Sequence, residues 1–259
     1  MAATRRISAA LIAVAAAAAV LTGCGGDDDS AGDPIVAPAG TLEQTGPFAG
    51  ESADQILSDA EAATNTASSL TVDIRGTDDG GGKAHLTAAI TASGKCAASV
   101  ETDGESPTQV IGVDEKYYFK GDAAYWEDVG GSHGDELAQA FGGKWVEVPA
   151  DESDQFDQFC NLHDLLASDD DSPITKGAPT THYGQPVVPL REQDDDEGDG
   201  PSVLYVAAEG TPYILGVESE NLGTIRFTDF DKAPEISAPP ARDTVDPRSV
   251  GGDLPSLSV

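Results

Sequence analysis

The chain has 259 residues and a formal net charge of −32 at neutral pH, from 46 acidic and 14 basic residues. This charge argues against nucleic acid as a partner and against electrostatic docking on anionic lipid headgroups. About 190 residues lie between two polar ends, enough for one domain with its own core.

The first 23 residues have the composition of an export signal. Arg5 and Arg6 precede an apolar run, 7–20, and the run leads to Leu21-Thr22-Gly23-Cys24. The run is shorter than the roughly 20 residues that cross a bilayer. A cysteine after such a run resembles the bacterial lipobox, which implies that residues 1–23 are removed and that Cys24 is diacylated.

The segment after Cys24 favours this interpretation over an ordinary secretory signal followed by a chance cysteine. Residues 24–50 are small, charged and rich in Gly and Pro, which predicts a flexible tether. Two acyl chains are enough for stable attachment. We therefore expect a lipid anchor at the extracytoplasmic face of the cell membrane, on a mature chain whose charge falls to −34 with the loss of Arg5 and Arg6.

An amphipathic helix and a hairpin are predicted to open the domain. The helix covers 51–63, with Ser52 as N-cap and apolar residues at helical spacing. Alternating segments at 70–75 and 86–92 flank a Gly-rich turn at 78–82, which predicts two antiparallel strands.

Strand-like segments continue to the end of the domain and are interrupted by helical ones. Strand patterns cover 110–120, 124–126 and 144–148, with a short helix predicted at 134–141. A second long helix is predicted at 153–166, where Phe156, Phe159, Leu162, Leu165 and Leu166 recur at spacings of three and four. The last strands are predicted at 174–179, 182–189, 203–208, 213–219 and 223–230.

These elements predict an α+β fold in which two or three helices pack on one face of a curved antiparallel sheet. The domain is expected at 51–242, and residues 243–259 are expected to form a disordered tail.

Few residues suggest chemistry. Cys96 and Cys160 are an even pair in an oxidising compartment, which predicts a disulfide rather than a catalytic thiol. The four histidines are scattered, and the acidic run at 192–200 lacks the ligand spacing of a calcium loop. No nucleophile elbow is present. We therefore expect no metal, no cofactor and no enzymatic activity.

Several segments resemble a known family. The opening helix leading to Ser69-Leu70-Thr71-Val72, the aromatic segments 117–126 and 144–149, and the ending 225–240 are similar to the actinobacterial LppX/LprAFG lipoproteins and their LolA-like relatives. The resemblance implies a strongly curved half-barrel whose helices close its concave face, with lipid acyl chains held between sheet and helices.

The resemblance implies a protein that binds or carries an apolar, lipid-like ligand, and we expect it to be a monomer. The expected lining is Tyr117, Phe119, Trp126, Trp145, Phe156, Phe159, Leu162 and Leu166. Aromatic residues are also typical of an ordinary core, so the filled interior stays an alternative. The alternative function is a cavity-free acidic lipoprotein that senses or binds a protein or cell-wall partner, motivated by the acidic runs and by the two cysteines.

Overall fold

The computed structural model describes residues 46–77, 81–150, 153, 156, 160, 173–192, 201–220 and 223–250. Its helices are α1 (Ala53–Asn65), α2 (Ala123–Val129) and α3 (Gly134–Phe141). Its strands are β1 (Ser69–Thr77), β2 (Lys83–Thr91), β3 (Cys96–Thr102), β4 (Thr108–Val113), β5 (Lys116–Lys120), β6 (Trp145–Glu147), β7 (Ile174–Lys176), β8 (Thr180–His182), β9 (Gln185–Glu192), β10 (Ser202–Ala207), β11 (Ile214–Ser219), β12 (Gly223–Thr228) and β13 (Thr244–Val245).

All thirteen strands of the described residues join one curved, unclosed sheet. Its order is β13-β6-β5-β4-β3-β2-β1-β12-β11-β10-β9-β7, and β8 pairs with the remaining part of β9. Every pairing is antiparallel except that of β13 with β6. The strands therefore form a long meander in which the last strands return to β1, as the predicted α+β half-barrel requires.

The helices lie on one side of this sheet, which we call the inner face. Ile56 and Ala60 of α1 share a single core with Trp126 of α2 and Phe141 of α3. Ser52 caps α1 as predicted, because its hydroxyl accepts a hydrogen bond from the Gln55 amide at 3.2 Å. The opposite side of the sheet is the outer face.

Two segments differ from the predicted pattern. Residues 124–126 were expected in a strand but lie in α2, because the Asp122 carboxylate accepts from the Tyr125 amide at 2.9 Å and begins the helix there. The segment 110–120 was expected as one strand but divides into β4 and β5. Asp114 and Glu115 have φ of 52° and 61°, and they form the turn between them.

Strand β13 lies within the segment expected to be a tail. Thr244 and Val245 pair with Trp145 and Val146, because β6 otherwise leaves one edge of its backbone without a partner. The ordered part of the domain therefore extends past residue 242, and residues 251–259 lie outside the described residues. Residues 1–45, including Cys24, also lie outside them.

Candidate functional site

Two adjacent rows of apolar side chains cross the inner face of the sheet. The first, here the covered row, lies beneath the helices. Its members on β1 and β9, Val72 and Val188, are both 0% exposed. The covered row consists of Ala98, Ala88, Val72, Phe227, Ile214, Val206 and Val188.

The second row, here the aliphatic row, lies one pleat further from the helices. The strand register places its members directly opposite one another on seven neighbouring strands. Six interstrand steps make the aliphatic row about 29 Å long. All are half-buried except Leu190, which is 2% exposed. The aliphatic row consists of Val100, Leu86, Ile74, Ile225, Val217, Leu204 and Leu190.

Strand periodicity explains both rows. Side chains two residues apart share a face of a strand, so Val72 and Ile74, or Phe227 and Ile225, point to the same side. Antiparallel register then aligns these pairs with those of the neighbouring strand: Ile74 lies opposite both Leu86 and Ile225. The result is a continuous apolar strip that the helices only partly cover.

Small and polar residues continue the inner face beyond the aliphatic row. This rim row carries hydroxyl and carboxylate groups at its β9 end, where Ser202 Oγ donates to Glu192 Oε2 at 2.6 Å. At its centre, Gly223 has φ of 92°, and a side chain there would collide with the backbone of β1. The rim row consists of Thr102, Ala84, Gly76, Gly223, Ser219, Ser202 and Glu192.

Under the helices the inner face holds an aromatic cluster. Phe119 and Trp126 are both 0% exposed and meet edge to face, with ring centroids 5.9 Å apart. Trp126 also lies 5.2 Å from Phe141, and Tyr117 stacks 5.8 Å from Phe156. These rings fill the space between β5 and the helices, and such aromatic pairs add about 0.5–1.5 kcal/mol each beyond their buried area.

The aromatic cluster contains four of the eight residues expected to line a ligand: Tyr117, Phe119, Trp126 and Phe156. Trp145 is not among them. It lies on the outer face of β6, where the Lys120 ammonium is 5.6 Å from its ring. Phe159, Leu162 and Leu166 fall outside the described residues, so their part in a lining stays a prediction.

The predicted disulfide joins Cys96 of β3 to Cys160, which is helical and only 2% exposed. It lies beside the aromatic cluster over Gly112 of β4. A Cβ at Gly112 would be 3.0 Å from both sulfurs and 2.7 Å from Tyr117, so this glycine makes room for the bond. The disulfide therefore fastens a helical residue to the inner face.

Two histidines have carboxylate partners on the outer face that sequence spacing did not reveal. His85 Nε2 lies 2.8 Å from Asp73 Oδ2, and His182 Nε2 lies 2.9 Å from Glu218 Oε1. Each pair combines residues from different strands, so only the sheet register brings them together. Among the described residues, no three His, Cys, Asp or Glu side chains gather as metal ligands.

Comparisons with known proteins show that this chain is similar to solved structures in fold but not in sequence. No protein family model matches this chain, and no curated protein matches its sequence. The Mycobacterium tuberculosis lipoprotein LppX is 12% identical over 70% of this chain and 96% of its own, with a TM-score of 0.45.

A conserved protein of Thermus thermophilus is 10% identical over 75% of this chain and 98% of its own, with a TM-score of 0.38. A LolA-superfamily protein of Nitrosomonas europaea is 8% identical over 74% of this chain and 96% of its own, with a TM-score of 0.27. Identities and TM-scores this low say nothing about function, and membership of the LppX-type group stays a prediction.

Proposed function

We propose that this protein is an exported lipoprotein, held to the extracytoplasmic face of the cell membrane through Cys24, that binds an apolar, lipid-like ligand on the inner face of its sheet. The aliphatic row is the observation that supports binding of an apolar ligand on this face. Six of its seven side chains are half-buried, and all seven are purely hydrocarbon.

The dimensions and chemistry of the row suit an acyl chain. Covering apolar surface is favourable by about 25 cal/mol per Å², and a chain laid across the strands contacts each side chain of the row in turn. The rim row offers hydroxyl groups from Ser202, Ser219 and Thr102 and contains neither Lys nor Arg. An amphiphile with an uncharged polar end therefore fits best, its tail on the aliphatic row and its head at the rim row.

A hydroxyl introduced into the row tests this assignment. Val217→Thr combined with Val100→Thr keeps side-chain shape but places two unsatisfied hydroxyls against the ligand. The double variant should bind the uncharged dye N-phenylnaphthylamine about tenfold more weakly, as measured by fluorescence titration with competition by monopalmitoylglycerol.

The matched control is Val203→Thr. Val203 is also a half-buried strand valine, but it faces the outer side of β10 opposite Glu218. This variant should bind the dye like the unchanged protein. Equal loss in control and double variant, or no saturable dye binding by the unchanged protein, would contradict the assignment of the aliphatic row.

The aromatic cluster favours a second candidate, the cavity-free interaction lipoprotein. Phe119, Trp126 and Phe156 are all 0% exposed in mutual contact with other rings or apolar side chains, as in a filled core. Native mass spectrometry of protein taken from its own membrane distinguishes the two. Co-purified lipid supports the ligand-binding function, whereas a bare chain with a saturable protein partner supports the second candidate.

A further inference from the structure

The outer face of the sheet concentrates cationic groups on a strongly acidic protein. Arg75 of β1, Arg226 of β12 and Arg191 of β9 all lie on this face, and all three are exposed. Three aromatic rings lie between Arg226 and Arg191, those of His182, Tyr183 and Tyr205. We call Arg191, Arg226 and these three rings the arginine face.

The carboxylates on this part of the outer face already have partners. Glu218 receives hydrogen bonds from Tyr183 Oη at 3.2 Å and Tyr205 Oη at 3.1 Å, besides its contact with His182. Burial alone would raise the pKa of Glu218, but these hydrogen bonds outweigh it and lower that pKa. Asp73 is likewise bound by Arg75 and His85, both at 2.8 Å.

Among the residues that the structure describes, Arg226 and Arg191 have no such partner. Arg226 lies directly opposite Asp73 in the strand register, yet its guanidinium lies 4.9 Å from the centre of the Tyr183 ring. The Arg191 guanidinium packs against Gly177. Any residue larger than glycine at position 177 would displace this guanidinium. Neither arginine forms an ion pair with a carboxylate of the described residues. Both retain donors for a ligand.

The rings between these arginines are held in place. His182 stacks on Tyr205 with centroids 4.0 Å apart and planes 14° apart, and Tyr183 lies 4.2 Å from His182. Tyr183 has φ of 50° in the turn between β8 and β9, and its ring lies close over Gly216, where an added Cβ would be 3.0 Å from its hydroxyl oxygen. Because both tyrosine hydroxyls are bound to Glu218, the rings contribute aromatic surface instead of free hydroxyls.

From this arrangement we propose that the arginine face binds an acidic polysaccharide. Sugar rings lie against the aromatic surface, and acid groups of the polymer accept paired hydrogen bonds from Arg226 and Arg191. The two arginines are separated by three interstrand steps and by two residues along the strand, about 16 Å in all, so they engage acid groups on separate sugars of an extended chain. This binding is independent of the ligand proposed for the inner face.

Screening explains how an acidic protein binds an acidic polymer. At 0.15 M salt the screening length is about 8 Å, which is shorter than the separation of the two arginines. Charges that lie further than this from the polymer therefore contribute little, and the groups at the arginine face decide the binding. Lower salt should weaken the binding because distant acidic residues then repel the polymer.

The test uses the full chain as purified and oligogalacturonate as the probe, with affinity measured by calorimetry at 0.15 M salt. Arg226→Gln and Arg191→Gln should each weaken binding about tenfold, because each removes a charge-assisted contact. Lys83→Gln is the matched control: Lys83 is exposed on the outer face at the start of β2, away from the arginine face, so its loss should change affinity less than twofold. Unchanged melting temperatures confirm that the variants fold.

Four results would overturn the proposal. The first is no binding of oligogalacturonate by the unchanged protein. The second is an equal loss of affinity in Lys83→Gln and in the two arginine variants, which would indicate a diffuse charge effect. The third is equally tight, Arg226-dependent binding of poly-glutamate, which would assign the face to acidic peptides. Binding of neutral dextran with the same affinity would also exclude a role for the arginines.

Discussion

Asp73 shows how a single side chain responds to its neighbours in the sheet. The hydrogen bond from Arg75 lowers the pKa of Asp73 to about 2, with a further contribution from His85 across the β1–β2 pairing. Both partners share the outer face because residues 73 and 75 are two apart and His85 pairs with residue 75. The carboxylate is thus more acidic in the folded chain than in the unfolded chain, where its pKa is about 3.9.

This difference predicts a pH-dependent effect of Asp73→Asn. A lowered folded-state pKa stabilises the fold above the unfolded value, and that stabilisation is lost as the pH falls through the folded value. The variant should therefore be less stable than the original chain at pH 7 and equally stable only below about pH 2, with the gap beginning to close below about pH 4. Chemical denaturation across this range measures it, and a gap independent of pH would contradict the prediction.

At the scale of elements, α1 is fastened to the sheet by one buried hydroxyl. Thr64 is 0% exposed; its Oγ1 donates to Ala60 O at 2.7 Å and accepts from the Ile214 amide of β11 at 2.9 Å. The predicted helix ended at residue 63, so the sequence pattern did not place Thr64 on its apolar stripe. Burial of Thr64 is possible because both functions of its hydroxyl are satisfied.

We expect Thr64→Val to destabilise the chain by about 1–3 kcal/mol, since the Ile214 amide would be buried without an acceptor. The control is Thr66→Val. Its hydroxyl also bonds to the backbone, at Ala63 O, but it is exposed and water can replace the bond. Urea denaturation compares the two, and similar losses would show that the buried bond to β11 is not the cause.

The disulfide connects elements that are distant in the chain. Cys96 and Cys160 are 64 residues apart in sequence, so the bond removes much of the freedom of the unfolded chain. Replacing both cysteines by alanine should cost about 2–5 kcal/mol. Thermal denaturation with and without reductant measures this: the unchanged protein should lose stability on reduction, while the double variant should be indifferent to reductant.

At the scale of the whole molecule, the two faces of one sheet have different surfaces. The inner face carries the covered row and the aliphatic row, and the outer face carries arginines, tyrosines and their bound carboxylates. A single sheet can thus support both proposals, because side chains alternate between faces along every strand. Among the described residues, no helix is both long and apolar enough to span a bilayer.

The membrane anchor is a prediction about the entire chain. Cys24→Ala should move the protein from the membrane fraction to the soluble fraction, because residues 25–259 contain no apolar run near the roughly 18 residues of a spanning helix. Gly26→Ala, two residues further on, should leave it in the membrane fraction. Immunoblots of the membrane and soluble fractions measure where each variant is found. Cys24→Ala protein in the membrane fraction would contradict the lipid anchor.

The sequence by itself determined the local features of this protein. Alternation in segments such as 70–75 and 86–92 identified which side chains share a face of a strand, and Ser52 marked the start of α1. These features follow from contacts within a few residues, where periodicity and capping act. Residues 124–126 were misassigned because the cap at Asp122 outweighed their preference for strand.

Only the tertiary structure decided the candidate sites. Ile74, Ile225 and Leu204 form one row through register between strands that are far apart in sequence, and no local pattern encodes that register. Likewise, within the described part of the chain, Arg226 and Arg191 lack carboxylate partners because Glu218 and Asp73 bind other side chains. Periodicity decides which face of a strand a residue occupies, whereas long-range pairing decides which neighbours it meets.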